Sequence, residues 1–347
     1  MKTLKSILQG LPCDVAGPDD VMIEDIVFDS RKVKPGALFV AIKGAHQDGH
    51  AHIETAIKSG ARAVLVENPV PSNGTTQVRV PNSLKALSHI ALRYWDYPSR
   101  QLRMVGITGT NGKTTTSYLV ESIFSVAGWP TGVMGTINYR FGNDSTPAPN
   151  TTPFASEIQR FLAKVLKEGA KACVMEVSSH ALELGRVEGV EFDAAIFTNL
   201  TQDHLDFHKT MDAYAAAKKK LFSLLDSGGT KTFPKCAVIN ADDSWAENMV
   251  LDVKIPILRY RLHGPADLFT KNLICDATGS RNYKGSTSQS VQTVGQIDGI
   301  RGADEKHETE RHIKNPQVKH PFFGVRNADR RRLRQVWRIH KKIGRHP

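Results

Sequence analysis

The chain has 347 residues, 40% of them hydrophobic, enough for two domains with cores of their own, which excludes a single small module. Its net charge of +11 is concentrated at one end: residues 279–347 hold 16 Lys or Arg against 6 Asp or Glu, so the body is nearly neutral and a nucleic-acid-binding body is disfavoured. Cys13, Cys173, Cys236 and Cys275 form no C-x-x-C pair and no run of about 18 apolar residues occurs, which argues against a zinc ribbon, a disulfide scaffold or a membrane-spanning helix. Gln9, Gly10 and Pro12 interrupt any apolar leader, so no signal peptide and a soluble chain in a reducing cytoplasm are expected.

In chain order, residues 1–100 alternate β-rich runs at 26–29, 37–42 and 63–67 with helical stretches at 53–59 and 83–97. Tyr97-Pro98-Ser99-Arg100 breaks the last helix, which places a domain boundary near residue 100. From residue 101, strands at 104–108, 133–136, 172–177, 194–198 and 236–240 alternate with helices at 114–127, 152–167 and 211–225. That order predicts an α/β fold with a mostly parallel sheet covered on both faces, in a central domain over 101–278. Ligands collect at the carboxyl ends of strands in such sheets, and Gly109–Thr115, Glu176–Ser179 and Asn199–His204 all follow strands. In residues 279–347 only 13 of 69 positions are Leu, Ile, Val or Phe, so a disordered basic tail is expected. Within it Leu333, Val336, Trp337 and His340 have helical spacing among arginines, a pattern that suits RNA or an anionic membrane.

Gly109, Thr110, Asn111, Gly112, Lys113, Thr114 and Thr115 lie between a strand and a helix, the context of a phosphate-binding loop. Glycines admit phosphate oxygens to the backbone N–H groups, Lys113 supplies a point charge, and the Thr114 hydroxyl suits Mg²⁺. The loop departs from the generic spacing, since Ile107 stands where the first glycine of that motif belongs.

Glu176 closes an apolar strand, and His204 lies in Asn199-Leu-Thr-Gln-Asp-His204 just after another. The pair suits a second Mg²⁺, although imidazole is an unusual ligand for that ion, and each segment read alone is equally consistent with ordinary polar structure. Met211, Tyr214, Lys218, Leu221 and Leu225 are spaced three and four apart, so Lys218 falls on the apolar stripe of a helix. Either its head reaches solvent past a buried stem, or it enters a site as a neutral amine able to form a carbamate with CO₂. Lys219 and Lys220 turn away from the stripe and are expected to be solvated.

Together these segments resemble the Mur ligase family, over residues 20 to about 278. The motifs carrying the likeness include Asp29-Ser30-Arg31, His46-Gln47-Asp48-Gly49, Gly109–Thr116, Asn150-Thr151-Thr152-Pro153, Glu176–His180, Arg186, Thr198–His208 and Ala215-Ala216-Ala217-Lys218. The resemblance implies a UDP-binding domain over 1–100, in which Phe28, Ser30, His46, Gln47 and Asp48 hold the uridine end of the substrate. It implies that Asn150, Thr151, Thr152, Ser178 and Arg186 line the path of a muramoyl peptide. It implies catalytic roles for Lys113, His204 and Lys218, the last N6-carboxylated, with two Mg²⁺ ions held by Thr114, Glu176, His204 and Lys218. The implied reaction is an ATP-driven ligation in the cytoplasm for cell-wall (peptidoglycan) synthesis. An acyl phosphate on UDP-N-acetylmuramoyl-L-alanyl-D-glutamate is displaced by a diamino acid, meso-diaminopimelate or L-lysine, in a chain expected to be a monomer.

The family's third, carboxy-terminal domain and its D-N-P-[RA] specificity stretch are not found in this sequence. Residues 279–347 look like out-of-frame text, so an incomplete central sheet and an inactive chain are expected. Two other readings remain: a folylpolyglutamate synthase-like ligase, and a nonenzymatic nucleotide-binding scaffold whose basic tail binds nucleic acid.

Overall fold

The computed structural model describes residues 1–287, apart from 45, 46, 72, 73, 228, 263, 277 and 278. The tail beyond residue 287, with Leu333, Val336, Trp337 and His340, therefore lies outside the described residues, as does His46.

The first unit comprises β1 (Lys2–Thr3), α1 (Leu4–Leu8), β2 (Asp14–Ala16), β3 (Met22–Ile23), β4 (Asp25–Val27), β5 (Ala37–Val40), α2 (Ile53–Lys58), β6 (Ala63–Val66), β7 (Thr76–Arg79) and α3 (Ser83–Tyr94). Five strands form a sheet in the order β2-β7-β6-β5-β4, parallel except for β2. Ala37-Leu-Phe-Val40 and Ala63-Val-Leu-Val66 are buried along their whole length because helices cover both faces. On one face Leu38, Val40 and Leu65 pack with Leu4 and Ile7 of α1 and Leu87 and Ile90 of α3. On the other, Phe39, Val64 and Val66 pack with Ile53 and Ala56 of α2.

The second unit comprises β8 (Arg103–Thr108), α4 (Lys113–Val126), β9 (Thr131–Met134), β10 (Asn138–Phe141), β11 (Asp144–Pro147), α5 (Ala155–Lys167), β12 (Ala172–Glu176), α6 (Ser179–Glu183), β13 (Ala194–Phe197), α7 (Leu205–His208), α8 (Met211–Asp226), β14 (Cys236–Asn240), α9 (Ala246–Val250), β15 (Ile257–Arg261), β16 (Leu268–Asp276) and β17 (Gly279–Thr287). Its sheet runs β11-β10-β9-β12-β8-β13-β14-β15-β16-β17, with β9 through β16 parallel and an antiparallel hairpin at each end. The α/β, mostly parallel architecture matches the sequence reading. The sheet does not end at β14, however, and backbone pairing carries it past residue 278 to Thr287. Pro256, Arg259 and Arg261 break up the apolar text there, which is why composition concealed β15.

The main core of this unit gathers Met104, Met175, Phe192 and Phe197 with Ile158 and Leu162 of α5 and Tyr214, Leu221 and Phe222 of α8. The opposite face, under α4, has a thinner core of Val105, Ile107, Val133 and Val174. Strands β12, β8 and β13 are neighbours, so their carboxyl ends open onto one rim. The chain leaves β8 for β9, returns to β12 and then crosses to β13, which makes this rim the switch point where α/β sheets bind ligands.

Candidate functional site

The β8 exit is a tight loop. Gly109 has φ +143° and a Cβ there would fall 1.9 Å from Thr198 Oγ1, so only glycine lets the loop lie against β13. Gly112, at φ +84°, caps α4, and Lys113 is that helix's first residue. The loop is tied to the β13 exit: Thr110 N donates to the Asn199 carbonyl at 2.8 Å, Asn111 N to Asn199 Oδ1 at 3.0 Å, and Thr198 Oγ1 to the Asn111 carbonyl at 2.7 Å.

Two lysines predicted from sequence meet there. Lys113 Nζ donates to the carbonyls of Gly109 and Thr110 at 2.9 and 2.8 Å. Lys218, only 1% exposed, donates from Nζ to the same Gly109 carbonyl at 2.9 Å. The head of Lys218 thus enters the site instead of reaching solvent, and it lies 4.4 Å from the centre of the Tyr214 ring. Burial and then the nearby Lys113 charge lower its pKa to about 6, with Asp203 opposing. Burial also lowers that of Lys113, against the pull of Glu176 and Asp203. Lys219 and Lys220 are not simply solvated: they pair with Asp252 and Glu183 at 2.5 and 2.6 Å, since neighbouring elements bring those carboxylates to the flanks of α8.

Glu176, also 1% exposed, accepts from Thr114 Oγ1 at 3.0 Å and Thr136 Oγ1 at 2.9 Å through one oxygen, and from Thr136 N at 3.2 Å through the other. A Cβ on Gly135 would come within 2.3 Å of that carboxylate. Thr136 and Gly135 escaped the sequence reading, which ran the strand through them; β9 stops at Met134, and a glycine just past a strand was the available signal.

Behind Glu176, Thr152 Oγ1 donates to the Glu176 carbonyl at 2.8 Å and accepts from Ser178 N at 3.0 Å. The Ser178 hydroxyl caps α6. Arg186 Nη1 donates to the Thr152 carbonyl at 3.0 Å, with its guanidinium 4.2 Å from the centre of the Phe154 ring. Thr151 and Thr136 share a hydroxyl contact of 3.1 Å, and the Asn150 carbonyl accepts from the Tyr139 hydroxyl at 2.5 Å. Thr151, Thr152, Ser178, Arg186 and Glu176 therefore form one hydrogen-bonded cluster with Thr136, while Asn150 is tied to Tyr139 beside it.

His204 sits at the β13 exit in a left-handed conformation, φ +53°, half-exposed beside Asp203. Its ring packs edge-on against His180 at 4.9 Å and Tyr214 at 6.1 Å between centroids. His204 and Lys218 thus flank Tyr214, but among the described residues no hydrogen bond or ion pair is seen joining His204 to Glu176 or Lys218. His208 is the third imidazole of the group, 7% exposed, with Nε2 2.9 Å from Ser179 Oγ. Burial and then His180 hold its pKa below the ordinary value.

In the first unit, Phe28 and Ser30 follow β4, and Gln47 and Asp48 follow the adjacent parallel strand β5. Asp48 accepts from His50 N and Nδ1 at 2.9 and 2.6 Å, and the Gln47 carbonyl accepts from Gly44 N. Phe28 stacks at 4.5 Å on Phe154, which follows the Asn150–Thr152 segment. A cleft of about 720 Å³ lined by Asp25, Phe28, Lys32, Tyr139, Glu157 and Arg160 opens beside it without reaching the phosphate loop.

Two family models match the chain: the Mur ligase middle domain over residues 107–298, and the Mur ligase family catalytic domain over 23–95. The chain belongs to the Mur ligase family. The middle-domain match, like the sheet, runs beyond residue 278. The chain is 44% identical over 270 residues to a UDP-N-acetylmuramoyl-L-alanyl-D-glutamate--2,6-diaminopimelate ligase of Geobacter sulfurreducens, covering 77% of this chain and 53% of that protein. A ligase of the same name from Bacillus cereus is 40% identical over 280 residues, covering 81% and 56%. A solved structure of a UDP-N-acetylmuramoyl-L-alanyl-D-glutamate--2,6-diaminopimelate ligase superposes with a TM-score of 0.69 at 29% identity, covering 83% of this chain and 58% of that one. The chain spans about half the length of the curated relatives it matches. No helix among the described residues is long and apolar enough to cross a membrane.

The donors present suit Mg²⁺ at one position. Thr114 and the buried carboxylate of Glu176 are an all-oxygen pair, and in a nucleotide site phosphate oxygens and water complete such a shell. Among the described residues no three His, Cys, Asp or Glu side chains gather as a metal site by themselves. Lys218 as an amine offers such an ion no oxygen.

Proposed function

We propose that this chain carries the nucleotide-binding and UDP-substrate-binding parts of an ATP-dependent amide ligase of peptidoglycan precursor synthesis. The acceptor would be UDP-N-acetylmuramoyl-L-alanyl-D-glutamate and the added residue a diamino acid, with meso-diaminopimelate favoured over L-lysine by the names of the relatives. The observation that carries the reading is the convergence of Lys113 and Lys218 on the Gly109 carbonyl beside the Thr114–Glu176 pair. Lys113 sets a cation at this loop carbonyl beside the buried Lys218 amine, and a triphosphate is what a glycine loop opening a helix accepts.

In this reading residues 1–100 hold the uridine end through Phe28, Ser30, His46, Gln47 and Asp48, and residues 101–278 hold ATP. Arg186, Ser178 and Asn150 to Thr152 guide the peptide carboxylate to the γ-phosphate, where hydroxyls, amides and one guanidinium suit sugar, peptide and carboxylate groups. Lys113 offsets charge on the transferring phosphoryl group. Thr114 and Glu176 would hold one Mg²⁺, and His204 with carboxylated Lys218 a second; the ions would supply charge neutralisation. Lys218 favours the neutral form above about pH 6, and that form can attack CO₂, lose a proton and become an anionic carbamate.

Calorimetry on the full chain with a nonhydrolysable ATP analogue and with UDP-N-acetylmuramoyl-L-alanyl-D-glutamate tests the proposal. Both should bind, and Lys113→Ala should weaken the nucleotide while sparing the UDP substrate. No heat with either ligand would refute it.

A further inference from the structure

We infer that His208 is a positioning residue for the muramoyl-peptide segment, acting through Ser179. This inference rests on the functional reading above. Ser179 is the first residue of α6 and follows Ser178, whose backbone N–H is fixed from one side by Thr152. The other side is fixed by His208, whose Nε2 lies 2.9 Å from Ser179 Oγ. Both partners are buried, His208 at 7% and Ser179 at 1% exposure, so water does not readily replace the contact when it is broken.

The placement of His208 gives the contact its reach. It ends α7, and its carbonyl accepts from Thr210 N, the cap of α8. Its ring lies 5.1 Å from Tyr214, the ring beneath Lys218. One imidazole therefore couples the β12 exit, with Glu176 and Ser178, to the β13 exit and the helix that carries Lys218. A hydroxyl can donate to or accept from the imidazole, so the link survives either tautomer. Loss of the link frees Ser178-Ser179 to shift while the phosphate loop, tied separately to Asn199, keeps its place.

The test is calorimetry on the full chain with UDP-N-acetylmuramoyl-L-alanyl-D-glutamate and, separately, an ATP analogue. His208→Ala and Ser179→Ala should each weaken the UDP substrate about tenfold, leave the ATP analogue within about twofold, and in combination lose no more than either alone. His208→Gln, which can still reach the hydroxyl, should recover most of the loss. Should His208→Ala fail to fold, Ser179→Ala, which removes one atom, carries the test alone. Unchanged affinity for the UDP substrate, equal loss of both ligands, or additive losses would overturn the inference. A parent chain that binds the ATP analogue but not the UDP substrate would instead overturn the functional reading, and this inference with it.

Discussion

Lys113 and Lys218 donate to one and the same acceptor, the carbonyl oxygen of Gly109, each from 2.9 Å. Two ammonium groups that share an oxygen raise each other's cost of protonation, and the more deeply buried Lys218 yields first, at about pH 6. Replacing Lys113 by Met should therefore raise the Lys218 pKa, by about one pH unit. Isotope-labelled CO₂ and carbon NMR can follow it: carbamate on Lys218 should form less readily near pH 7 in the Lys113→Met variant. An unchanged carbamate titration would show that the two charges do not couple.

The same buried amine makes stability depend on pH in a definite direction. Lys218 keeps its proton to about pH 10.5 when unfolded but sheds it near 6 when folded. The unfolded state thus binds more protons between those values, and the protein gains stability as pH rises through that window. Lys218→Met removes the imbalance. In CO₂-depleted buffer it should be more stable than the parent by a few kcal/mol at pH 6.5, with the gap closing towards pH 10. Lys218→Ala should lose ligase turnover in any active assembly, and formate or acetate should restore part of it. Full turnover in the alanine variant would defeat the carbamate role.

Gly109 and Gly128 separate close approach from backbone strain. Both have positive φ, but a Cβ at 109 collides with Thr198 Oγ1 at 1.9 Å, while one at 128 meets nothing within 4 Å. Gly128→Ala should cost about 1 kcal/mol, the left-handed penalty alone. Gly109→Ala should cost about 3 kcal/mol or more, because the loop must also leave β13. Urea unfolding measures both, and equal losses would show that the loop is not wedged against Thr198.

Much of this site is legible in the sequence because its pieces are local. Gly109–Thr115 announces itself within seven residues, and Lys218 is exposed by the three-and-four spacing of Tyr214, Leu221 and Leu225. What escapes is pairing across distance. Thr136 serves Glu176 from 40 residues away, and Ser179 meets His208 from 29, and neither polar residue differs locally from a turn or cap. The hairpin of β10 and β11 went unread although Phe141-Gly142-Asn143-Asp144 is a plausible turn, because its strands are half-buried or exposed and lack an apolar alternation. The parallel strands β12 and β5 were plain for the opposite reason, since burial on both faces demands continuous apolar text.

Glu176 lends itself to a substitution that keeps shape and removes charge. In Glu176→Gln the amide oxygen can accept from Thr136 N, and its NH₂ can donate to the hydroxyls of Thr114 and Thr136, which can turn to accept. Folding stability should fall by less than about 1 kcal/mol. Affinity for the ATP analogue in the presence of Mg²⁺ should drop at least tenfold, while metal-free affinity stays level, because one anionic ligand is gone. Equal affinities with and without Mg²⁺ in the parent would remove Glu176 from the metal's shell.

A buried ion pair far from the rim gives a test of the fold itself. Lys231, with a side chain 1% exposed, donates from Nζ to the carbonyls of Leu102 and Glu191 at 2.6 and 2.8 Å and meets Asp193 at 2.5 Å. Asp193 also accepts from Met104 N at 2.6 Å, so the pair locks the start of β8 to the segment entering β13. Burial raises the Asp193 pKa and Lys231 restrains the rise. Lys231→Met leaves a carboxylate buried without its cation, a loss of about 3 kcal/mol at pH 8. In that variant the folded state holds the Asp193 proton to a higher pH than the unfolded chain does, so its stability should fall as pH rises from 4 to 8 and the deficit should shrink in acid. Adding Asp193→Asn should recover most of the loss at pH 8 and abolish the slope. A deficit independent of pH would mean that packing of the lysine stem, and not the unpaired charge, sets the cost.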